Sequence, residues 1–315
     1  MACSSFSDSK TTSATVNGRG ATLISAIHPE IIQTHILTLL DGPTLASAAS
    51  TSSQLYSLSS QEDLWANICR STWPSTDTPR LRRIISTFAH ELISAVDVYY
   101  KGKLVFSKVV ETETLTGWFK CSPFRVDLLD PKDVVPTPIK YPNGEDACGT
   151  LGEDLTLSWI LIDPTGRRAM NISSHKPVSV ERHWLSREVQ VRFSSILAGE
   201  KGSPSEFVQC VIVVTCGGLE GGDIQIREVS LQMEDMDGTH LNGRESLVIL
   251  QMSLEGKKRR ETRREEEGRK RYQEYLKMKE ERKERKLRAE GTLDMLCVFL
   301  AVLSFAGFGL FVLWR

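Results

Sequence analysis

The 315-residue chain is poor in the groups that perform chemistry. Its seven cysteines are an odd number scattered without a CxxC pair, which fits a reduced cytosolic protein better than a disulfide scaffold. Cys210 and Cys216 lie six apart, an even spacing that puts both on one face of a strand. With no histidine pattern nearby they read as buried thiols rather than metal ligands. The string GGLEGG (217–222) has no Lys-Ser/Thr after it and no strand-to-helix setting, so it reads as a hairpin loop rather than a phosphate cradle. His175 and His183 bracket KPVSVER without a nucleophile partnered to either. No catalytic residue, no metal site and no cofactor is expected. The first twenty residues are Ser/Thr-rich and hold no apolar run, which argues against a signal peptide and predicts a disordered arm over 1–22.

Net charge is also nearly absent, at −1, but the balance is segregated. Residues 257–290 hold 16 Lys/Arg against 9 Asp/Glu, which leaves the rest of the chain acidic by eight. A tail or a surface interaction is implied.

What the chain does have begins at Ile27. Pro29 suits a first helical turn, where its missing N–H has no partner to lose, and Glu30 favours the positive helix end. Ile32, Ile36, Leu37 and Leu40 then recur at spacings that gather them on one face, with Gln33, Thr34 and Thr38 mostly elsewhere. Asp41-Gly42-Pro43 stops that helix, and Pro43 with Thr44 opens a second one carrying Leu45, Ala46, Ala48 and Ala49. Leu55, Leu58, Leu64 and Trp65 form a third apolar set. A core of this size needs a partner or a neighbouring domain.

Residue by residue, this segment resembles the F-box, the three-helix module that docks on the Skp adaptor of cullin-based ubiquitin ligases. The family's opening Leu-Pro is here His28-Pro29, its I-L-x-x-L is Ile36-Leu37-Thr38-Leu39-Leu40, and its closing Leu-Trp is Leu64-Trp65. His28, Thr51 and Leu55 depart from the usual Leu, Val and Trp. The wording HPEIIQTHIL and LDGPTLASAAS is similar to a plant subgroup of F-box proteins with a C-terminal hydrophobic tail. The resemblance implies Skp contacts through Pro29, Ile32, Ile36, Leu37, Leu40, Leu45, Leu64 and Trp65, and through Skp a cullin.

The middle, 92–255, is written in β patterns. VDVYYKGKLVFSKVV alternates about a K-G-K turn, and DLTLSWILIDPTGRRAMNIS does so about Asp163-Pro164-Thr165-Gly166. REVQVRFSSIL, EFVQCVIVVTC, DIQIREVSLQM and ESLVILQMSL follow between Gly- and Pro-bearing turns. About eight closely spaced strands predict an antiparallel sandwich or jelly roll. FRVDLLD, LSWILIDP and the strands after HWL loosely resemble the lectin-type domain of plant phloem proteins, with no sugar-binding residue to carry across. Residues 66–91, ANICRSTWPST and then RLRRIISTFAHELI, read as a linker helix joining box to sandwich.

Residues 256–291 predict a charged helix with Glu265, Glu266, Glu267, Glu281 and Glu284 each four residues before a base, the favourable order. Apolar residues there are sparse and keep no heptad seam, so the segment reads as a solvated single-helix stalk of ~50 Å rather than a coiled coil or a nucleic-acid arm. From Met295 to Trp314 no charge interrupts, and at ~1.5 Å per residue that stretch spans a bilayer core of ~30 Å. It reads as a tail anchor, with Trp314 at the far interface and the basic flank favouring a cytosolic bulk, and with the endoplasmic reticulum ahead of other organelles. The sequon Asn171-Ile172-Ser173 then goes unused.

The expected organisation is α+β and multidomain: arm 1–22, three-helix box 23–70, linker helix 71–91, β-rich sandwich 92–255, charged helical stalk 256–291, transmembrane helix 292–315. The function it implies is that of a non-catalytic, membrane-anchored substrate adaptor of a Skp-cullin-F-box ligase. Its partners would be Skp, an unknown protein substrate and membrane lipid, but not nucleic acid. The alternatives are a lectin-like binding module and a membrane-tethered scaffold independent of ubiquitin.

Overall fold

The computed structural model describes residues 27–87, 92–140, 147–200, 206–218, 222–256 and 264–315. The arm expected at 1–22, the middle of GGLEGG and the first residues of the expected stalk lie outside them. The chain divides between Thr72 and Trp73 into two compact units.

The first unit opens with a turn of α-helix, α1 (Pro29–Ile31), and the chain then widens into a π-helical stretch at Ile32–Ile36 and tightens into a 3-10 turn at Leu37–Leu39. This corrects the regular helix and single stripe expected here. The Leu37 N–H reaches the carbonyl of Ile32, five residues back, so these two side chains share the core at 1% and 2% exposure while Ile36 turns outward at 42%. The local sequence suits such winding. Ile31, Ile32, Thr34, Ile36 and Thr38 are β-branched, and the Thr34 and Thr38 hydroxyls each donate to the carbonyl four residues earlier, at 2.7 Å.

Helix α2 (Gly42–Ala49) is capped by the Asp41 carboxylate, which accepts from the Thr44 N–H at 2.9 Å, so Asp41 rather than Thr44 starts it. The third apolar set is split between α3 (Ser53–Ser59), capped by Ser52, and α4 (Glu62–Thr72). Ile32, Leu37, Leu45 and Leu64 are the buried centre, with Leu40, Leu55, Leu58 and Ile68 packed against it.

The second unit starts with a 3-10 turn at Pro74–Asp77 and helix α5 (Pro79–Ser86), and then builds two antiparallel sheets. Strands β1 (Leu92–Tyr100) and β2 (Lys103–Thr112) turn over Lys101 and Gly102, both at positive φ (49° and 74°), as a tight twisted hairpin requires. There follow α6 (Gly117–Cys121), β3 (Arg125–Asp127), β4 (Val135–Lys140), α7 (Ala147–Asp154), β5 (Leu155–Asp163), β6 (Arg168–Asn171), β7 (Ser179–Arg182), β8 (Val189–Ala198), β9 (Phe207–Gly217) and β10 (Asp223–Glu234). One sheet runs β2-β1-β5-β6. The other runs β3-β10-β9-β8-β7, with β4 also on β10.

Alternation along each strand sends Val96, Val98, Leu157 and Trp159 of the first sheet against Val191, Phe193, Ile212, Val214 and Leu231 of the second. Cys210 and Cys216 lie in that core, where burial pushes both thiols up to about 12.

Three expectations are corrected in this unit. ESLVILQMSL is not a strand but most of helix α8 (Gly243–Glu255), because Asn242 and Glu245 form a reciprocal capping box that starts a helix. The linker helix expected over 71–91 is present but shorter, α5 at Pro79–Ser86, and its Leu81 and Ile84 pack on Ile93, Ala95, Val109, Ile160 and Ile162, the outer face of the first sheet. The buried Asp97 carboxylate clasps the same segment, accepting from the Ser75 N–H at 3.1 Å, the Ser75 hydroxyl at 2.6 Å and the Ser107 hydroxyl at 2.8 Å.

The third concerns the stalk. Helix α9 runs unbroken from Arg264 to Trp314, and its first half is not a solvated spacer. Tyr275 is fully buried and its hydroxyl donates to the Asp235 carbonyl at 3.1 Å. Lys279 approaches Glu234 at 3.9 Å, and Arg282 and Lys286 both reach Asp237, at 3.0 and 2.8 Å. These residues recur at three, four and seven, one face of a helix laid on the second sheet. Of the expected acid-base pairs, Glu284 and Arg288 meet at 3.1 Å, Arg285 turns to the Glu281 carbonyl instead, and the side chains of Glu265, Glu266 and Glu267 lie outside the described residues.

Candidate partner-docking face

The helical unit is organised to present apolar side chains outward. His28 accepts from the Glu30 N–H at 3.4 Å, and Pro29 takes the first helical position, so the entry to α1 is fixed at an exposed corner. From there the wide turn keeps Ile32 and Leu37 inside and leaves Ile31, Ile36 and Leu39 exposed at 49%, 42% and 82%. Three exposed apolar side chains on so short a segment make it the candidate face for a partner.

Asp41 holds the corner after Leu39. Its bonds from the Thr44 side chain and N–H keep its carboxyl below the usual carboxylate range. On α4, Trp65 is anchored from one end, its indole N–H donating to the Ser59 carbonyl at 2.7 Å while about a third of its surface stays exposed. The Trp65 ring and Ile68 lie close under Gly42, at 3.7 and 3.6 Å from where a Cβ there would stand. Between the 3-10 turn and α4 runs an open depression of about 500 Å³ lined by Leu39, Leu40, Asp41, Leu64, Ile68 and neighbours.

Among the eight residues singled out by sequence, Pro29 and Ile36 are exposed, Trp65 is partly so and Leu40 is half-buried. Ile32, Leu37, Leu45 and Leu64 instead form the unit's own core. Ile31, Leu39 and Tyr56, the last at 64%, are also exposed on this unit and were not among the eight. A regular helical wheel assigns Leu37 and Ile36 to the same stripe, and only the change of winding separates them.

At the other end of the chain, Met295 and Trp314 both lie on the exposed apolar part of α9, which is long and apolar enough to cross a membrane. Among the described residues no group of histidine, cysteine, aspartate and glutamate side chains is arranged to hold a metal ion.

Residues 29–71 match the F-box-like family. The chain is 50% identical over 310 residues to the probable F-box protein At2g36090 of Arabidopsis thaliana, covering 93% of this chain and 94% of that protein. It is 42% identical to the F-box protein At2g27310 of the same plant, over 95% and 97% of the two chains, and 41% identical to the F-box protein At3g44326, over 90% and 89%. No solved structure matches it.

Proposed function

The chain belongs to the family of plant F-box proteins, and we propose that it is a substrate-recognition adaptor of a Skp-cullin-F-box ubiquitin ligase, held at a membrane by its C-terminal helix. The observation that carries this reading is the outward trio Ile31, Ile36 and Leu39 on a helical unit whose own core is already complete. In this reading Pro29, Ile36 and Trp65 meet Skp together with Ile31 and Leu39, while Ile32, Leu37, Leu45 and Leu64 act by holding that face in shape.

The chain performs no transfer step itself. The sandwich unit binds the substrate protein, Skp brings the cullin and its ubiquitin donor, and modification follows from the raised local concentration of substrate at the donor. The apolar end of α9 restricts this assembly to a bilayer, with the bulk of the chain in the cytosol because basic residues crowd the near flank. The endoplasmic reticulum is the membrane we expect.

Capture of Skp by the full chain tests the reading. Ile36→Asp with Leu39→Asp puts two charges on the docking face without touching the core, so capture should fall at least a hundredfold while circular dichroism is unchanged. Ile32→Asp buries a charge and should unfold the box, at several kcal/mol. Undiminished capture by the surface double variant sinks the assignment of this face.

A further inference from the structure

Two tryptophans of the sandwich unit stand out in solvent, Trp118 at 84% and Trp184 at 82% exposed, and they occupy opposite ends of the six-stranded sheet. Trp184 lies in the turn between β7 and β8, at the end where Val189 pairs with Cys216. Trp118 lies on α6, which leads directly into β3, and β3 pairs with the last residues of β10. The Ser122 carbonyl at the end of α6 accepts from the Gly243 N–H, just past the turn that closes β10. At ~3.3 Å per residue, the 12 residues of β10 separate the two ends by ~35 to 40 Å.

Helix α9 leaves the sandwich at one of these ends, and its contacts say which. Tyr272 sits beside Arg192 and Gln209, within β8 and β9. Tyr275 then meets Asp235, Lys279 meets Glu234, and Arg282 and Lys286 meet Asp237 at the tip of the β10 turn. The helix therefore travels outward past the end that carries Trp118. Met295 follows Lys286 by nine residues, ~13 Å of helix.

We infer that this end of the sandwich, with Leu115 and Trp118 foremost, lies in the headgroup layer of the bilayer that holds α9. The inference rests on the reading of α9 as a membrane span. An indole with an apolar body and an N–H suits that layer, where tryptophan is enriched. Lys120 beside it, and Lys283, Arg285 and Arg288 on the helix between, are exposed cations that favour anionic lipid. The sandwich unit thus rests on the membrane by this end, with the Trp184 end pointing away.

The test uses the full chain in vesicles of phosphatidylcholine and phosphatidylserine whose acyl chains carry bromine near the headgroup, a short-range quencher of indole emission. The chain has six tryptophans, of which Trp118 and Trp314 should be quenched and Trp184 should not. Trp118→Phe should roughly halve the quenched emission, and Trp184→Phe should leave it unchanged; both positions are exposed, so neither change disturbs the core. Vesicle flotation separates the two readings. A chain that fails to float loses the anchor and this inference with it. A chain that floats with Trp118→Phe leaving the quenched emission unaltered, or with Trp184 the quenched residue, keeps the anchor and overturns the inference alone.

Discussion

Replacing Tyr275 should release the first half of α9 from the sandwich, and the size of the effect can be worked from its surroundings. The ring is fully buried on an otherwise charged helix, and its hydroxyl donates to the Asp235 carbonyl. Tyr275→Phe removes only that bond and should cost about 1 kcal/mol. Tyr275→Ala also removes a buried aromatic ring, for which about 3 to 5 kcal/mol is usual. The ion pairs of Arg282 and Lys286 with Asp237 are partly exposed, and such pairs contribute about 0 to 1 kcal/mol, so Asp237→Asn should do much less than Tyr275→Ala. Trypsin reads the opening directly, since Arg269 to Arg288 is dense in cleavage sites that a docked helix protects. At a tenfold change per 1.4 kcal/mol, cleavage in that segment should rise about fivefold for Tyr275→Phe and more than a hundredfold for Tyr275→Ala. Equal cleavage of the wild type and Tyr275→Ala, at the rate of an open helix, would mean that α9 is a free stalk after all.

Other outcomes follow from the same structure. Deleting residues 292–315 should release the chain from microsomes, and the intact chain should resist alkaline carbonate while losing its bulk to protease added outside; a glycan on Asn171 would reverse that orientation. Ser75→Ala should leave the buried Asp97 carboxylate short of a donor and lower stability by about 1 to 3 kcal/mol, read as a shift of the denaturation midpoint, with Ser86→Ala on the exposed side of α5 as the neutral control. Lys286 and Arg282 hold the Asp237 carboxyl below its ordinary 3.8, so the contribution of that pairing to α9 docking is whole above this pH and is lost as pH falls through the lower folded value. Protection of the α9 amides from hydrogen exchange should weaken across that acid range in the wild type, and less so in Asp237→Asn.

Much of this architecture could be read from residue order, and the failures have physical causes. The K-G-K and D-P-T-G turns marked their hairpins because positive φ and a fixed proline φ leave few alternatives. β4, VPTPIK, was missed because two prolines break an alternating pattern, yet it lies at the sheet's side where Thr137 can donate its hydroxyl to the Ile224 carbonyl. The helix at 243–255 was misread as a strand because Leu247-Val248-Ile249-Leu250 is a continuous apolar run, which periodicity cannot assign; the Asn242 to Glu245 spacing was the signal available. On the candidate docking face, the eight residues chosen by sequence mixed surface with core: Ile32 and Leu37 turn inward, apart from Ile36, because the stretch Ile32–Ile36 winds wider than a 3.6-residue wheel, while Leu45 and Leu64 are the inward positions of regular helices. Tyr272 and Tyr275 were visible as aromatics in a charged helix, but a search for heptads looks for a second helix, and their partner was a sheet.

On the proposed reading of α9 as a membrane span, its unbroken run makes the sandwich a lever on its own anchor. Tyr275, the pinned residue, and Met295, the first of the apolar span, are twenty residues apart on one rigid rod, ~30 Å. Apolar spans respond to a thinner bilayer by tilting, commonly by about 20°, and that tilt at the fulcrum carries the pinned point sideways by ~10 Å. Lipid thickness and sandwich posture are then mechanically geared. A patch of thick membrane would stand the unit upright on its Trp118 end and a thin one would lean it over about that end, so the same chain would present its sandwich at different angles in different lipid surroundings.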